Sequence, residues 1–396
     1  MSSANVWPVV CLDEICLKIT DGAHQSPSSV EHGLPMASVK DMTRFGLNLA
    51  TARKISYEDF AKLVRQGCRP EKNDILIAKD GATALDTVCF VSVQEDVVLL
   101  SSVAIIRPDP SKIFPNFLRY YLDCSSTKSY MKTAFTTGAA IPRVVLKDFK
   151  KVEVKIPPLN VQKCISVLVG QYDNLIENNT RRIAVLEEMA RRIYEEWFVH
   201  FRYPGHEQDQ KVETELGLVP EGWEIKPMSE CIELAYGKAL KAENRIPGPF
   251  PVYGSSGIVG SHESALVAAP GIVVGRKGNV GSVFWAHEPF YPIDTAYYIK
   301  TKLPLLYVFH NLQKQNFINN DAAVPGLSRN QAYLLPVINP AQAVLDLFLA
   351  TCQPIHDLQI TLGKKNANLR QTRDLLLPRL ISGELDVSTL VLPDAA

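Results

Sequence analysis

Residues 172–197 read YDNLIENNTRRIAVLEEMARRIYEEW, and residues 355–380 read IHDLQITLGKKNANLRQTRDLLLPRL. In the first stretch the positions that would face a core are Tyr172, Leu175, Asn179, Ile183, Leu186, Ala190, Ile193 and Trp197. In the second they are Ile355, Leu358, Leu362, Asn366, Leu369, Arg373, Leu376 and Leu380. Both sets advance by steps of 3, 4, 4, 3, 4, 3 and 4 residues, so even the break in the heptad repeats. Each stretch is expected to form a helix of about 30 residues or more, roughly 45 Å long at the usual rise. Two such helices would each hide an apolar stripe against the other.

The repetition extends upstream. Ile141-Pro142 matches Val324-Pro325, and Pro157 matches Pro340, at the helices' own offset of 183 residues. Trp7 matches Trp223 at an offset of 216, and Ile75-Leu76-Ile77 matches Ile272-Val273-Val274 at 197. The drifting offset predicts two heads of unequal length carried on helical parts of equal length. A helix pair of this kind suggests a spacer.

Composition excludes more than it selects. Of 396 residues 46% are apolar, enough for real cores. No run approaches the length of a membrane span, and Met1 to Val10 lacks the pattern of a signal peptide. Eight cysteines lie scattered without a C-x-x-C pair, which predicts free thiols in the cytoplasm and no metal site. Lys plus Arg and Asp plus Glu both number 42, so bulk charge gives no argument for nucleic acid. Neither head is basic alone: residues 1–150 hold 18 basic and 16 acidic groups, and residues 201–336 hold 12 and 13. DNA binding would require local patches, or a partner that supplies much of the phosphate contact.

Along the first head, strands are predicted at Asp74–Ala78, Thr87–Val93, Val97–Ile106 and Val152–Ile156, with helices at Tyr57–Arg65 and Asn116–Ala134. Pro157-Pro158 should open the first long helix, which is expected to run to about Phe198. The polar stretch 202–216 reads as a linker. Asn339-Pro340 opens the second long helix, and Pro354 is expected to kink it or to split off a short helix ending near Cys352.

Catalytic signatures are missing from the sequence. There is no phosphate-binding G-x-x-x-x-G-K-[ST], no H-E-x-x-H and no G-x-S-x-G. Asn339-Pro340-Ala341-Gln342 does not fit the Asn/Asp-Pro-Pro-aromatic motif of an adenine methyltransferase, and Glu153-Val154-Lys155 is half of a nuclease motif of a very common kind. No catalytic, metal or cofactor site is assigned. The glycine turn Gly275-Arg276-Lys277-Gly278 could let a backbone approach DNA.

Several motifs, in order, carry a resemblance. Tyr253-Gly254-Ser255-Ser256-Gly257-Ile258-Val259-Gly260, Gly275-Arg276-Lys277-Gly278, Asp294-Thr295-Ala296-Tyr297 and Leu380-Ile381-Ser382-Gly383-Glu384-Leu385 resemble the DNA-specificity subunit of Type I restriction–modification systems. So do Ile19-Thr20-Asp21-Gly22-Ala23-His24 and Pro220-Glu221-Gly222-Trp223. The resemblance covers essentially the whole chain. It implies an α+β fold: two mixed α/β target-recognition domains separated by two long helices packed as an antiparallel coiled coil, with an internal pseudo-twofold repeat. The expected boundaries are 1–156 and 217–338 for the recognition domains, 157–201 and 339–385 for the helices, 202–216 for the linker and 386–396 for the tail.

Family membership implies a chain without catalytic activity that reads a bipartite, asymmetric site in double-stranded DNA. Its partners would be two methyltransferase subunits and, through the complex, restriction/translocase subunits, and no membrane. The expected DNA-facing residues are His24 and Lys79 in the first head and Ser255, Ser256, Arg276 and Lys277 in the second, Lys79 by its place after the strand Ile75–Ile77. Two other readings are left open: a two-headed scaffold that binds proteins instead of DNA, and an enzyme whose site carries no recognised motif.

Overall fold

The computed structural model describes residues 7–81, 83–136, 143–214, 217–317, 319–320 and 326–390. The matched pairs Ile141-Pro142 and Val324-Pro325 lie outside them. The chain divides into two compact units, Met1–Asn179 with Lys365–Ala396, and Thr180–Lys364.

The strands that build the sheets of the first head are β1 Val9–Cys11, β2 Cys16–Asp21, β3 Leu34–Ala37, β4 Arg53–Ile55, β5 Ile75–Ala78, β6 Val88–Phe90, β7 Val98–Leu99, β8 Val103–Pro108 and β9 Glu153–Lys155, with a short hairpin of Met42–Thr43 and Gly46–Leu47 between β3 and β4. Helices α1 Tyr57–Arg65, α2 Pro115–Asp123, α3 Ser125–Phe135 and α4 Leu146–Phe149 lie among them, followed by the long α5 Leu159–Phe198. The main sheet has the order β2-β8-β5-β6; a smaller one has the order β4-β3-β7, with β3 and β7 parallel; β1 pairs with β9. Strand β5 is buried along its whole length. Its alternate residues enter different cores: Ile75 and Ile77 one, Leu76 and Ala78 another. A strand buried on both faces reads as an unbroken apolar run, which is why Ile75-Leu76-Ile77 was visible in the sequence.

The second unit repeats this plan with β10 Glu224–Pro227, β11 Ile232–Tyr236, β12 Phe250–Gly254, β13 Gly257–His262, β14 Gly271–Gly275, β15 Val283–Ala286, β16 Tyr291–Pro292, β17 Ala296–Thr301 and β18 Pro336–Asn339. Helices α6 Leu305–Lys314 and α7 Arg329–Ala332 follow the places of α2 and α4, and the long α8 spans Gln342–Ser382. The main sheet is ordered β11-β17-β14-β15, the smaller one β13-β12-β16 with a parallel β12–β16 pair, and β10 pairs with β18. The repeat holds residue by residue. Val9 pairs with Lys155 and Ile225 with Ile338, which preserves both the 216 and the 183 offset. Ile77 faces Ala104 as Val274 faces Tyr297.

Segments of α5 and α8 pack together in each unit. In the first, Arg373 donates to Asp173 at 2.7 Å and Asn179 to Asn366 at 3.0 Å, so the later residue of one helix meets the earlier of the other and the segments are antiparallel. In the second, Tyr194, Trp197 and Phe198 meet Phe348 through ring contacts. Ala190, Trp197, Leu362 and Leu380 are buried; Tyr172, Ile183, Leu186, Ile193, Ile355, Leu369 and Leu376 are half-buried.

Several expectations need correction. Leu175 and Leu358, placed on the packed stripe, are 52% and 37% exposed, and Ile176 and His356 are buried instead. The phase follows Asp173, whose buried ion pairs turn that helix face inward. Helix α8 is unbroken through Pro354. Pro354 removes the donor for the Ala350 carbonyl, but both residues are exposed, so water can serve it. The run Val97–Ile106 forms two strands in two sheets, because a turn that returns the Val103 amide to the Leu100 carbonyl separates them. The stretch Asn116–Ala134 forms two helices divided at Cys124, whose backbone is extended. Within 202–216, Tyr203 stacks on Trp223 with ring centroids 5.2 Å apart, and Lys211–Thr214 pairs with Gly217–Pro220.

Candidate nucleic-acid interface

The turn after β14 is held by close backbone approach. A Cβ at Gly275 would lie 2.1 Å from the Asn279 carbonyl oxygen, so only glycine fits. Gly278 has φ +82°, which favours glycine again. The amides of Arg276 and Lys277 both donate to the Thr295 carbonyl, at 2.9 and 3.1 Å, and the Leu327 amide donates to the Arg276 carbonyl at 2.8 Å. Ser282 donates to the carbonyls of Ser255 and Asn279. The structure thus brings Ser255, Arg276 and Lys277 to one place, with the exposed Ser256 beside them.

Arg276 and Lys277 differ in role. Lys277 is exposed. Arg276 is half-buried: its Nη1 donates to the Asp294 carbonyl at 2.9 Å, and its guanidinium carbon lies 4.9 Å from the Tyr236 ring centroid and 5.8 Å from that of Tyr297. Burial, with a further contribution from Tyr236, pushes the Tyr297 phenol up to about 12, so it stays neutral. A second guanidinium, that of Arg329, also lies 4.9 Å from the Tyr236 centroid and 5.7 Å from that of Tyr333. Tyr236 remains 46% exposed among these charges. Lys238, two residues on, is exposed as well. Cations gathered around one accessible aromatic ring suit a nucleic-acid surface.

The first head presents different chemistry at the same station. By strand register Asp21 stands where Tyr236 stands, since Asp21 pairs with Ala104 as Tyr236 pairs with Tyr297. Lys79 stands where Arg276 stands; its amide donates to the Ser102 carbonyl as that of Arg276 donates to Thr295. The bridge between Asp80 and Arg143 corresponds to the one between Lys277 and Gly326. Lys79 is only 1% exposed, with its Nζ 3.2 Å from Asp21 and 3.4 Å from Asp80. The expectation of a DNA-facing Lys79 is therefore corrected: Asp21 neutralises it in the interior. The His24 side chain is 69% exposed, 3.3 Å from Asp21, and Arg143 pairs with Asp80 at 3.0 Å.

Tyr236, Lys238 and Arg329 were not legible as site residues. A Tyr-Gly-Lys triplet and an isolated arginine carry no spacing signal, and only the sheet joins them to the glycine turn. Among the described residues, no group of three or more His, Cys, Asp or Glu could hold a metal ion. Among the described residues, no helix is long and apolar enough to cross a membrane.

Residues 6–188 and 220–331 match the family described as the Type I restriction modification DNA specificity domain. The chain is similar to the Type I restriction enzyme MjaVIII specificity subunit of Methanocaldococcus jannaschii, with 28% identity over 46% of this chain and 40% of that one. With the MjaIX specificity subunit of the same organism, identity is 24% over 68% of this chain and 69% of the other. The crystal structure of a Type I restriction–modification S subunit from M. genitalium superposes with a TM-score of 0.56 at 17% identity, covering 96% of this chain and 97% of that one, which shows a common fold.

Proposed function

The chain belongs to the Type I restriction modification DNA specificity family, and on that premise we propose that it reads a bipartite, asymmetric DNA target, one half with each head. The observation that carries this reading is the contrast at one topological station. The second head offers Arg276 and Arg329 over the exposed Tyr236, with the exposed Lys277 next to Arg276, whereas the first offers His24 and Arg143 beside the paired Asp21 and Asp80. One scaffold with two different surfaces suits two unrelated half-sites. Base edges in the major groove would give specificity, and phosphate contacts would set register.

Methylation and cleavage belong, in this reading, to partner chains. The relatives are named as specificity subunits of restriction enzymes, and the sequence contains no methyltransferase, nuclease or nucleotide-binding motif. Two methyltransferase subunits would dock on the long helices, and restriction/translocase subunits would join through them. The helices are the spacer between half-sites, matched to a separation of about one DNA turn, roughly 34–36 Å. The test is to express the chain with its methyltransferase partners and map modified bases in the host genome. Two dissimilar half-sites at a fixed spacing are expected; a palindrome, or modification without sequence preference, would contradict the proposal.

A further inference from the structure

We infer that Arg329 is the side chain through which the second head reads a guanine. The inference rests on the proposal that this head reads DNA, and deepens it to one residue and one base. Arg329 opens the short helix α7 and is half-buried, its guanidinium carbon near the rings of Tyr236 and Tyr333. Two other loop arginines of this head are anchored on backbone carbonyls: Arg276 donates to that of Asp294 and Arg245 to those of Val259 and Leu240. Among the described residues the Arg329 guanidinium makes no hydrogen bond or ion pair, and its carbon lies over two rings.

An arginine held in this way is poised for base reading. Guanidinium is planar, permanently charged and carries five donors in a fork that matches guanine O6 and N7. Contact with two tyrosine rings restricts its rotation without using a donor, so less ordering remains to be done on binding. Its place is fixed through the glycine turn: Leu327, two residues earlier, donates to the Arg276 carbonyl, and Gly326 bridges Lys277. The same bridge in the first head joins Asp80 to Arg143, and the Val144 amide bonds Lys79 as that of Leu327 bonds Arg276. Counting on from those pairs, the first head has Leu146 where the second has Arg329. Only one half-site should therefore depend on this arginine.

The experiment uses the full chain assembled with its methyltransferase subunits. Affinities are measured for the mapped target and for duplexes in which each base pair of either half-site is replaced in turn. The unaltered complex should discriminate against loss of one G·C pair by about 10- to 100-fold. Arg329→Lys, which keeps the charge but not the fork, should reduce discrimination at that pair to about threefold or less and leave every other position unchanged. Arg329→Ala should do the same, and thermal unfolding of both variants checks that the head remains folded. Retained discrimination at every position would overturn the inference. So would a uniform loss of affinity with a shallower salt slope, because that identifies a phosphate contact. Absence of sequence preference in the unaltered complex would instead sink the broader DNA-reading proposal.

Discussion

The carboxylate of Asp173 accepts a hydrogen bond from Nη1 of Arg373 at 2.7 Å, with both side chains 5% exposed and 200 positions apart in the chain. Arg44 and Arg119 close on the same carboxylate at 3.3 and 3.1 Å. One acid on α5 thus ties together α8, α2 and the Arg44 turn. Burial would raise the Asp173 pKa, but the three arginines outweigh it and hold it below the ordinary carboxylate value.

Asp173→Asn should therefore destabilise the protein by about 3–5 kcal/mol, because buried guanidinium groups lose their counter-charge. Denaturant unfolding of the purified chain measures this. A loss under about 1 kcal/mol, the range of a surface ion pair, would contradict the burial and geometry described here.

The amides of Asn179 and Asn366 meet at 3.0 Å, and Asn366 donates in turn to the Ile176 carbonyl at 3.3 Å. A buried polar pair between helices sets register at some cost in stability. Replacing both by Leu should leave unfolding stability equal or higher, while light scattering shows mixed association states. A double variant less stable than either single one would mean the pair serves stability and not register.

In the second unit His310 and His356 are both 6% exposed, and with His287 they line a cavity of about 670 Å³ beside Glu187, Glu188 and Arg191. Burial, aided by His356, lowers the His310 pKa to about 4; burial also lowers those of His287 and His356. The unfolded chain then takes up the His310 proton near pH 6.5 while the folded one resists until about 4, and His287 and His356 shift in the same direction. Stability should be flat above about pH 6.5 and fall as pH drops toward 4, by up to about 1.4 kcal/mol per pH unit for each such histidine. Glu187, whose carboxyl is raised by desolvation, acts in the opposite direction and offsets part of the fall. Thermal unfolding against pH checks the slope, and His310→Leu should flatten it. An unchanged slope in that variant would move the effect to other groups.

The long helices were legible because their apolar spacing and the echoes of Trp7 in Trp223 survive in the sequence. The helix phase was less so. Leu175 and Ile176 are adjacent and equally apolar, and the choice between them is made by Asp173, which spacing alone assigns to water. The glycine turn was visible as a turn. That Lys79 is neutralised while Arg276 lies over a ring depends on Asp21 and Tyr236, which occupy one station on β2 and β11 and share no motif. Surface chemistry of that kind is written in sheet register, and sequence order does not display it.

Lys277 and Arg276 should separate in their salt response. Lys277 is exposed, so Lys277→Ala in the assembled complex should weaken binding evenly across sequences and lower the salt slope by about one unit. Arg276 is anchored on the Asp294 carbonyl, and Arg276→Ala should also disturb the packing around Tyr236. Wild-type affinity and wild-type salt dependence in both variants would leave the turn as simple structure.

Each head should carry its own half of the specificity on a shared scaffold. The most direct measurement is to exchange residues 217–338 for the corresponding head of a relative, express the hybrid with the same methyltransferase subunits, and map modified bases across a genome. The account expects one half-site to change while the other half-site and the spacing between them stay as they were. A hybrid in which both half-sites change, or in which neither does, would contradict it.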